Sequence, residues 1–512
     1  MTENDPNIKP KNKLLVYVVI IVMILAAVGG IAAFHYLYKP AKKVETITIA
    51  APVYYTSSAT WTNYLNNVSK AWEASHPNVK IKFVGPSSAS SESQYYSKLN
   101  LLTSSKSTAP TVMLEDMFYT ATYSHSGVLA PLNSYVNSSY TSNIQSSALG
   151  QMTINHTIYG LPATVTDTLI YYNTSILKEA GIHTPWNPKN WTDIINAAEK
   201  INNTLGSKGV VPLNIYQGVK ADEASSFTGF ETMLYGTGHG LYNFSNSKWY
   251  GNNPGLNATL GFYKTVFSKG YAQASISHTP YVTVGQYMKQ GKLGIAIDGS
   301  WMYGYQWAPH GQNPISNFSK YIGVTAVPTE FGQAPYNTTM VGGWGWAMYN
   351  GIPNSEKPIV ASFMKTLDNT TNQIIINLPG GALAGGLPPA KNAVNNSLFT
   401  KLMPTDPSLD TFFAGLLKNG HYRPPVATYP KISYILQKAM SNVVGGGDSV
   451  STALTIYSKD INTTLGSGSV SPSIAALNAQ NLNYKQYNGN SFALMSALET
   501  YVNYNLYNLL LW

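Results

Sequence analysis

The stretch YVTVGQYMKQGKLGIAIDGSWMYGY, from Tyr281 to Tyr305, decides how the chain is read. Its first half is helical in pattern, and Gly291 supplies the positive φ on which a helix ends. Leu293 to Ile297 (LGIAI) form an apolar run of strand length, too short for a second helix and suited to a buried strand. The run stops at Asp298-Gly299. Asp298, Gly299, Ser300 and Trp301 thus put a carboxylate, a glycine, a hydroxyl and an indole at the carboxyl end of a strand, where open α/β sheets bind ligands. A sugar has an apolar C–H face on which an indole stacks and a rim of hydroxyls from which a carboxylate accepts hydrogen bonds. The stretch reads as half of a carbohydrate clamp. The competing reading makes Trp301 a core side chain and Asp298 a turn cap.

Composition sets the frame around it. A chain of 512 residues is too long for one core, so two or more lobes are expected. Hydrophobic residues make up 44% and charged ones only 11%, so the surface is polar largely without ions, which suits an acidic or hot exterior. A net charge of +9 would fit a nucleic-acid partner, but Arg423 is the only arginine and the lysines are scattered, so that partner is set aside. The absence of cysteine excludes disulfides, thiolate metal sites and cysteine nucleophiles. No metal or phosphate-loop motif is present, and no cofactor is expected.

Towards the N-terminus, a polar segment (residues 1–13) carries Lys9, Lys11 and Lys13, and Leu14 to Phe34 then runs without a charge, long enough to cross a bilayer. It reads as a membrane anchor or an uncleaved signal. Asn-x-Ser/Thr triplets, among them Asn67, Asn137, Asn155, Asn173, Asn257, Asn337, Asn369 and Asn462, fit an exported, glycosylated face behind it. Glu45 to Ala51 alternates as a strand. Trp61 to His76 has helical spacing at Trp61, Leu65, Val68 and Trp72, and Val79 to Val84 is a further strand, which together make a β-α-β unit. Thr111 to Leu114 continues the sheet. The loops after these strands hold Tyr54 and Tyr55, then Ser87 to Ser91 with Ser88 among them, then Glu115 and Asp116, sugar-compatible residues at one edge. Each alone also fits a helix cap or a turn. Glu115 and Asp116 alternate, so only one points inward, and Asp116 is preferred.

The segment IYGLPATVTDTLIYYNTSILKEAGI (Ile158 to Ile182), followed by Pro185 and WTDIINAAEKI (Trp191 to Ile201), resembles the signature of the family-1 extracellular solute-binding proteins of ABC importers, the maltose-, trehalose- and glucose-binding group. The opening stretch, MVGGWGWAMYNGIPNSEKPIVASFMKTLDNTTNQ (Met340 to Gln373), GGLPPAKNA (Gly385 to Ala393), HYRPPVATYPKIS (His421 to Ser433) and GGGDSVSTALTIYSKDINTTLG (Gly445 to Gly466) are similar to that family's later segments, in order. Lys391 stands where the family carries an arginine, and the Tyr-, Asn- and Ser-rich tail 467–512 has no counterpart.

The resemblance implies an α/β, two-lobed periplasmic-binding-protein-like fold, each lobe a parallel-rich sheet flanked by helices. Three hinge crossings would lie near Ala163 to Thr168, Pro328 to Thr339 and Leu383 to Ala390. One lobe would comprise residues 46–165 with 340–385, the other 166–330 with 390–466, behind an N-terminal transmembrane helix (14–36) and a linker (37–45). It further implies a monomeric receptor outside the cell that closes on a sugar and delivers it to membrane permease subunits. Asp167 lies at a crossing, within reach of a ligand. Gly343 gives Trp344 room to face Trp301 across the cleft, while Trp346, next in alternation, belongs to the core. Tyr429 and Arg423 fall in the late segment, as a stacking ring and a hydroxyl or carboxylate contact, or as structure. A glycoside hydrolase using Asp116 and Asp298 is the rival from another class, and a peptide receptor the rival within the importer class.

Overall fold

The computed structural model describes residues 45–52, 59–84, 92–378, 386–393, 396–402 and 407–472. The apolar run Leu14 to Phe34, the loop residues Tyr54, Tyr55 and Ser88, and the tail beyond residue 472 lie outside the described residues. Among the described residues no helix is long and apolar enough to cross a membrane.

The framework strands, in chain order, are β1 (Glu45–Ala50), β2 (Val79–Phe83), β3 (Val112–Asp116), β4 (Gly160–Pro162), β5 (Thr168–Asn173), β6 (Val211–Asn214), β7 (Leu293–Gly299), β8 (Ile322–Thr325), β9 (Asn337–Met340) and β10 (Trp344–Met348). The first lobe is built on the sheet β2-β1-β3-β10-β4. Its β1–β2 and β1–β3 pairs are parallel, with helices Ala59–Ser75 (α1) and Glu92–Thr103 (α2) as the crossovers such pairs need. The helical spacing read in α1 is the buried stripe: Trp61, Leu65, Val68 and Trp72 are all 9% exposed or less.

The second lobe is built on the sheet β8-β5-β7-β6. Successive residues of β5 face two cores: Ile170 and Tyr172 one, Leu169 and Tyr171 the other. This sheet is not parallel-rich, contrary to the sequence expectation. Only β7–β6 is parallel, while β7–β5 and β8–β5 are antiparallel. The reason is topological. β5 is entered directly from the first lobe, with no crossover helix behind it to enforce a parallel neighbour.

Three passages between the sheets lie side by side. The first leaves β4 and reaches β5 through Ala163 to Asp167, the second runs from β8 through β9 to β10, and the third holds Leu387. Val165 and Leu387 exchange hydrogen bonds (2.9 and 2.7 Å), as do Thr166 and Gly342 (3.0 Å each way). After the third passage, Ala390, Ala393 and Phe399 pack with Met117, Ile144 and Ile374, and the chain joins a second-lobe core from Leu409. In this stretch the Gln145 amide donates to the Pro389 carbonyl (2.9 Å) and the Lys391 amide to the Asn143 carbonyl (2.6 Å). Among the glycosylation triplets, Asn67, Asn137, Asn155, Asn257 and Asn369 are exposed, whereas Asn173 is buried and caps a helix, accepting from the backbone of Ser175 and Ile176. Asn173 is therefore withdrawn as a glycan acceptor.

Gly343 follows this ribbon with φ +150°, and a Cβ there would stand 2.0 Å from the carbonyl oxygen of Thr164. Only glycine fits. Replacement Gly343→Ala is expected to lower unfolding free energy by more than about 1 kcal/mol, read from a shifted denaturant midpoint.

Candidate functional site

All of β7 is buried, so its end must satisfy its polar groups internally. Asp298 does so with both oxygens: Oδ2 accepts from the Tyr216 hydroxyl at 2.7 Å and Oδ1 from the Gly299 amide at 2.8 Å. Burial pushes its carboxyl up to about 7, against the pull of those two bonds. The next residue ties the strand end to the first passage. Ser300 N–H donates to the Asp167 carbonyl (2.9 Å), and the Asp167 amide donates to Ser300 Oγ (3.2 Å).

Asp167 is fully buried, and among the described residues neither oxygen of its carboxyl meets a donor at hydrogen-bonding geometry. Burial pushes it up to about 8, and the nearby Ser300 hydroxyl opposes that rise without closing a well-formed bond. Trp301 is only partly buried. Its six-membered ring lies over Gly299, where a Cβ would come within 2.0 Å of it, and its flank is set by Phe227 (6.3 Å, 23°) and the edge of Tyr281 (5.8 Å, 88°). Asp167, Asp298, Ser300 and Trp301 are thus gathered at one strand end.

On the first lobe, β10 pairs Trp344 with Asp116 of β3. Trp344 is 8% exposed and stacks with Tyr96 (6.5 Å, 13°). Trp346 is fully buried against Trp61 (6.0 Å, 21°), but it does not point away from Trp344: two residues apart on one strand, the indoles share a face and a core cluster, which corrects the opposite directions expected for them. Glu115 and Asp116, adjacent on β3, do point to opposite faces. Glu115 turns into the lobe, accepts from Thr120 Oγ1 at 3.0 Å and is pushed up to about 8 by burial. Asp116 turns towards the other lobe, caps the short helix Met117–Tyr119 by accepting from the Phe118 amide at 3.2 Å, and meets Arg423.

Arg423 is the centre of the contact between lobes. Nη2 donates to Asp116 Oδ1 at 2.6 Å and Nη1 to Glu223 Oε1 at 3.4 Å. Its guanidinium lies between the rings of Phe118 and Phe227, 4.3 and 4.4 Å from their centroids. Glu223 also accepts from Tyr429 (2.8 Å) and Ser433 (2.6 Å), and the same Tyr429 hydroxyl reaches Glu231. A phenol has one hydrogen, so one of the two carboxyl contacts needs a carboxyl proton. Burial raises both carboxyls, and the Arg423 guanidinium beside Glu223 favours that residue's charged form, which places the proton on Glu231. Tyr429 is fully buried inside this network, and its ring offers no open face for stacking, which corrects the stacking role expected for it.

Rings and guanidinium form a chain of contacts from Trp301 through Phe227, Arg423, Phe118 and Tyr96 to Trp344, stacked at each end and edge-on between Phe118 and Tyr96 (6.2 Å, 63°). Trp301 and Trp344 are therefore linked by intervening side chains where the sequence suggested an open gap between facing indoles. Sequence reasoning missed Phe118, Phe227, Glu223 and Glu231. A signal was present: in a chain with so few charges, Glu231 within an apolar run (FTGFE) requires a buried polar partner.

Residues 57–374 match the bacterial extracellular solute-binding protein family, and the chain belongs to it. It is 25% identical over 270 residues to a binding protein of Brucella abortus (strain 2308), a match spanning 52% of this chain and 59% of that relative's length. Among solved structures it is similar to maltose-bound MalE3 of T. maritima (TM-score 0.67, 17% identity, covering 82% of this chain and 100% of that one). It is also similar to a tagatose-bound solute-binding protein of Thermotoga lettingae (0.66, 21%, 83% and 100%) and to glycerophosphocholine-bound UgpB of Mycobacterium tuberculosis (0.65, 18%, 81% and 98%).

Removing the guanidinium would leave buried carboxyls without their cation. Arg423→Met is expected to cost about 3–5 kcal/mol of stability by denaturant unfolding. Glu231, raised above the ordinary glutamate value, contributes stability that is full below that value and lost as pH rises through about 8. The melting temperature is expected to fall from about pH 6 to about pH 9, and Glu231→Gln to lessen that fall by on the order of 2–4 °C, with Glu115 and Asp167 supplying the remainder.

Proposed function

We propose that the protein is the capture subunit of an ABC importer: it binds a sugar outside the cell and hands it to a membrane permease. The observation that carries this reading is the pairing of a partly exposed indole, Trp301, with the buried Asp167 carboxyl, whose oxygens meet no donor at hydrogen-bonding geometry among the described residues. An orphaned buried carboxyl is costly, and sugar hydroxyls are the donors that relieve it while the sugar's C–H face lies on the indole. Gly343 and Trp344 supply the opposite wall, with Asp116 and Arg423 at the joint between lobes. Asp298, Glu115 and Tyr429 act from behind, holding the strand ends and the Arg423 network in place. Tyr54, Tyr55 and Ser88 extend the first lobe's edge. Maltose and tagatose, held by structural neighbours, belong to the same ligand class.

Leu14 to Phe34 anchors the chain, and the monomeric binding unit works on the outer face, closing by rotation about the three side-by-side passages. Glycoside hydrolysis by Asp116 and Asp298 has no support in the geometry. Asp116 is paired with Arg423, and both Asp298 oxygens accept hydrogen bonds from within the second lobe, which favours the receptor reading over catalysis by these two carboxyls.

The test is calorimetric titration of the full chain in detergent with glucose, maltose, trehalose, cellobiose, arabinose and a short peptide pool, followed by assay for breakdown products. Saturable binding of a sugar without turnover is expected, weakened about tenfold or more by Trp301→Ala. Turnover, or binding of peptide alone, would overturn the reading.

A further inference from the structure

We propose that Arg423 is a strap between the two lobes, which holds them together before any ligand arrives and so sets how far the empty protein is closed. The strap rests on the lobe closure proposed above and adds the residue that biases it.

The contacts are divided evenly. The first lobe supplies one acid and one ring, Asp116 and Phe118, and the second supplies one of each, Glu223 and Phe227. The guanidinium side chain is 2% exposed, so these contacts replace its water almost completely. Arg423 travels with the second lobe. Six residues later Tyr429 enters that lobe's core, and Glu223, Tyr429 and Ser433 form one hydrogen-bonded group behind it. The contacts with Asp116 and Phe118 are therefore the ones that lobe opening must break, and Phe118 is itself seated in the second lobe's core. Near them, Thr122 Oγ1 donates to the Ala427 carbonyl at 2.9 Å, a second bond across the same joint.

The hinge touches the strap directly. A Cβ on Gly342 would stand 2.7 Å from the Phe227 ring and 3.2 Å from Arg423 Nη2, so the ribbon that pairs Gly342 with Thr166 is pressed against the guanidinium. Rotation about that ribbon shears the sandwich. A planar fork can hold a carboxylate on each side while presenting both faces to rings, and lysine cannot do this. In a chain that uses lysine everywhere else, the single arginine stands where that geometry is required. Arg423 is thus a positioning residue, acting on the spacing of the lobes.

Because the chain has no cysteine, distances are readily measured. Lys70→Cys on α1 and Lys200→Cys on the helix Trp191–Leu205 are exposed positions on opposite lobes, and spin labels there report the distance between lobes by pulsed EPR. In the full chain without sugar, the labelled parent is expected to give one short, narrow distance population. Asp116→Asn and Arg423→Met should each add a longer population absent from the parent, and Arg423→Lys an intermediate fraction of it. Circular dichroism of each variant establishes that it is folded. If Arg423→Met does not fold, Asp116→Asn decides, since it keeps the side chain's shape and removes its charge. Distances unchanged in folded Asp116→Asn would overturn the strap. A silent sugar titration with distances that still respond to Asp116→Asn would overturn the ligand reading and leave the strap standing.

Discussion

The structure depends on two backbone hydrogen-bonded pairs, Val165 with Leu387 and Thr166 with Gly342, where three strands pass from one sheet to the other. Backbone pairing at this point tolerates no side chain in the way, which is why Gly342 and Gly343 stand together there. The ribbon fixes the order of everything beyond it. β4 and β10 become neighbours in the first sheet because the first and second passages are neighbours, and the carboxyl end of β7 is tied through Ser300 to Asp167 in the first passage itself. The site sits at the joint because the strands that carry it are those that meet the ribbon.

A second constraint is the scarcity of charge. With one arginine and few acids, the protein does not compensate buried carboxyls ion by ion. Glu115, Asp167, Asp298 and Glu231 are buried without a cation beside them, and burial holds each well above the ordinary carboxylate range. Such groups work near neutrality as protonated or half-protonated hydrogen-bonding partners. Among the described residues the one buried arginine is placed where two lobes meet. A buried ion pair is weak evidence for stability, and what this one bears on is the spacing of the lobes.

Much of the scaffold was legible because it follows from periodicity. The buried stripe of α1 and the opposite directions of Glu115 and Asp116 are period-3.6 and period-2 patterns written in side chains, and the apolar run that opens β7 marks a buried strand. The strand direction in the second sheet was not legible, since it depends on how the chain enters from the other lobe. Nor were Glu223, Phe227 and Glu231. They lie on and beside a π-wound segment, Ala224–Glu231, whose wider turn shifts each side chain off the α-helical pattern and which no local composition announces. Tyr429 was placed in the right segment with the wrong task. A ring next to a proline in a late motif reads as a platform, but its hydroxyl is needed to bridge two buried acids, and that need arises only once Glu223 and Glu231 are seen beside it.

The chain of contacts from Trp301 to Trp344 joins these constraints. Aromatic pairs meet offset or edge to face and a guanidinium lies over a ring face, and each of these contacts occurs along it. Trp301, at one end, is the partly exposed member, and its neighbour Phe227 bears directly on Arg423. Whatever presses on the indole therefore presses, one ring later, on the group that spans the lobes. Binding surface and lobe contact are one continuous object, and that continuity is the physical basis for coupling occupancy of the site to the spacing of the lobes.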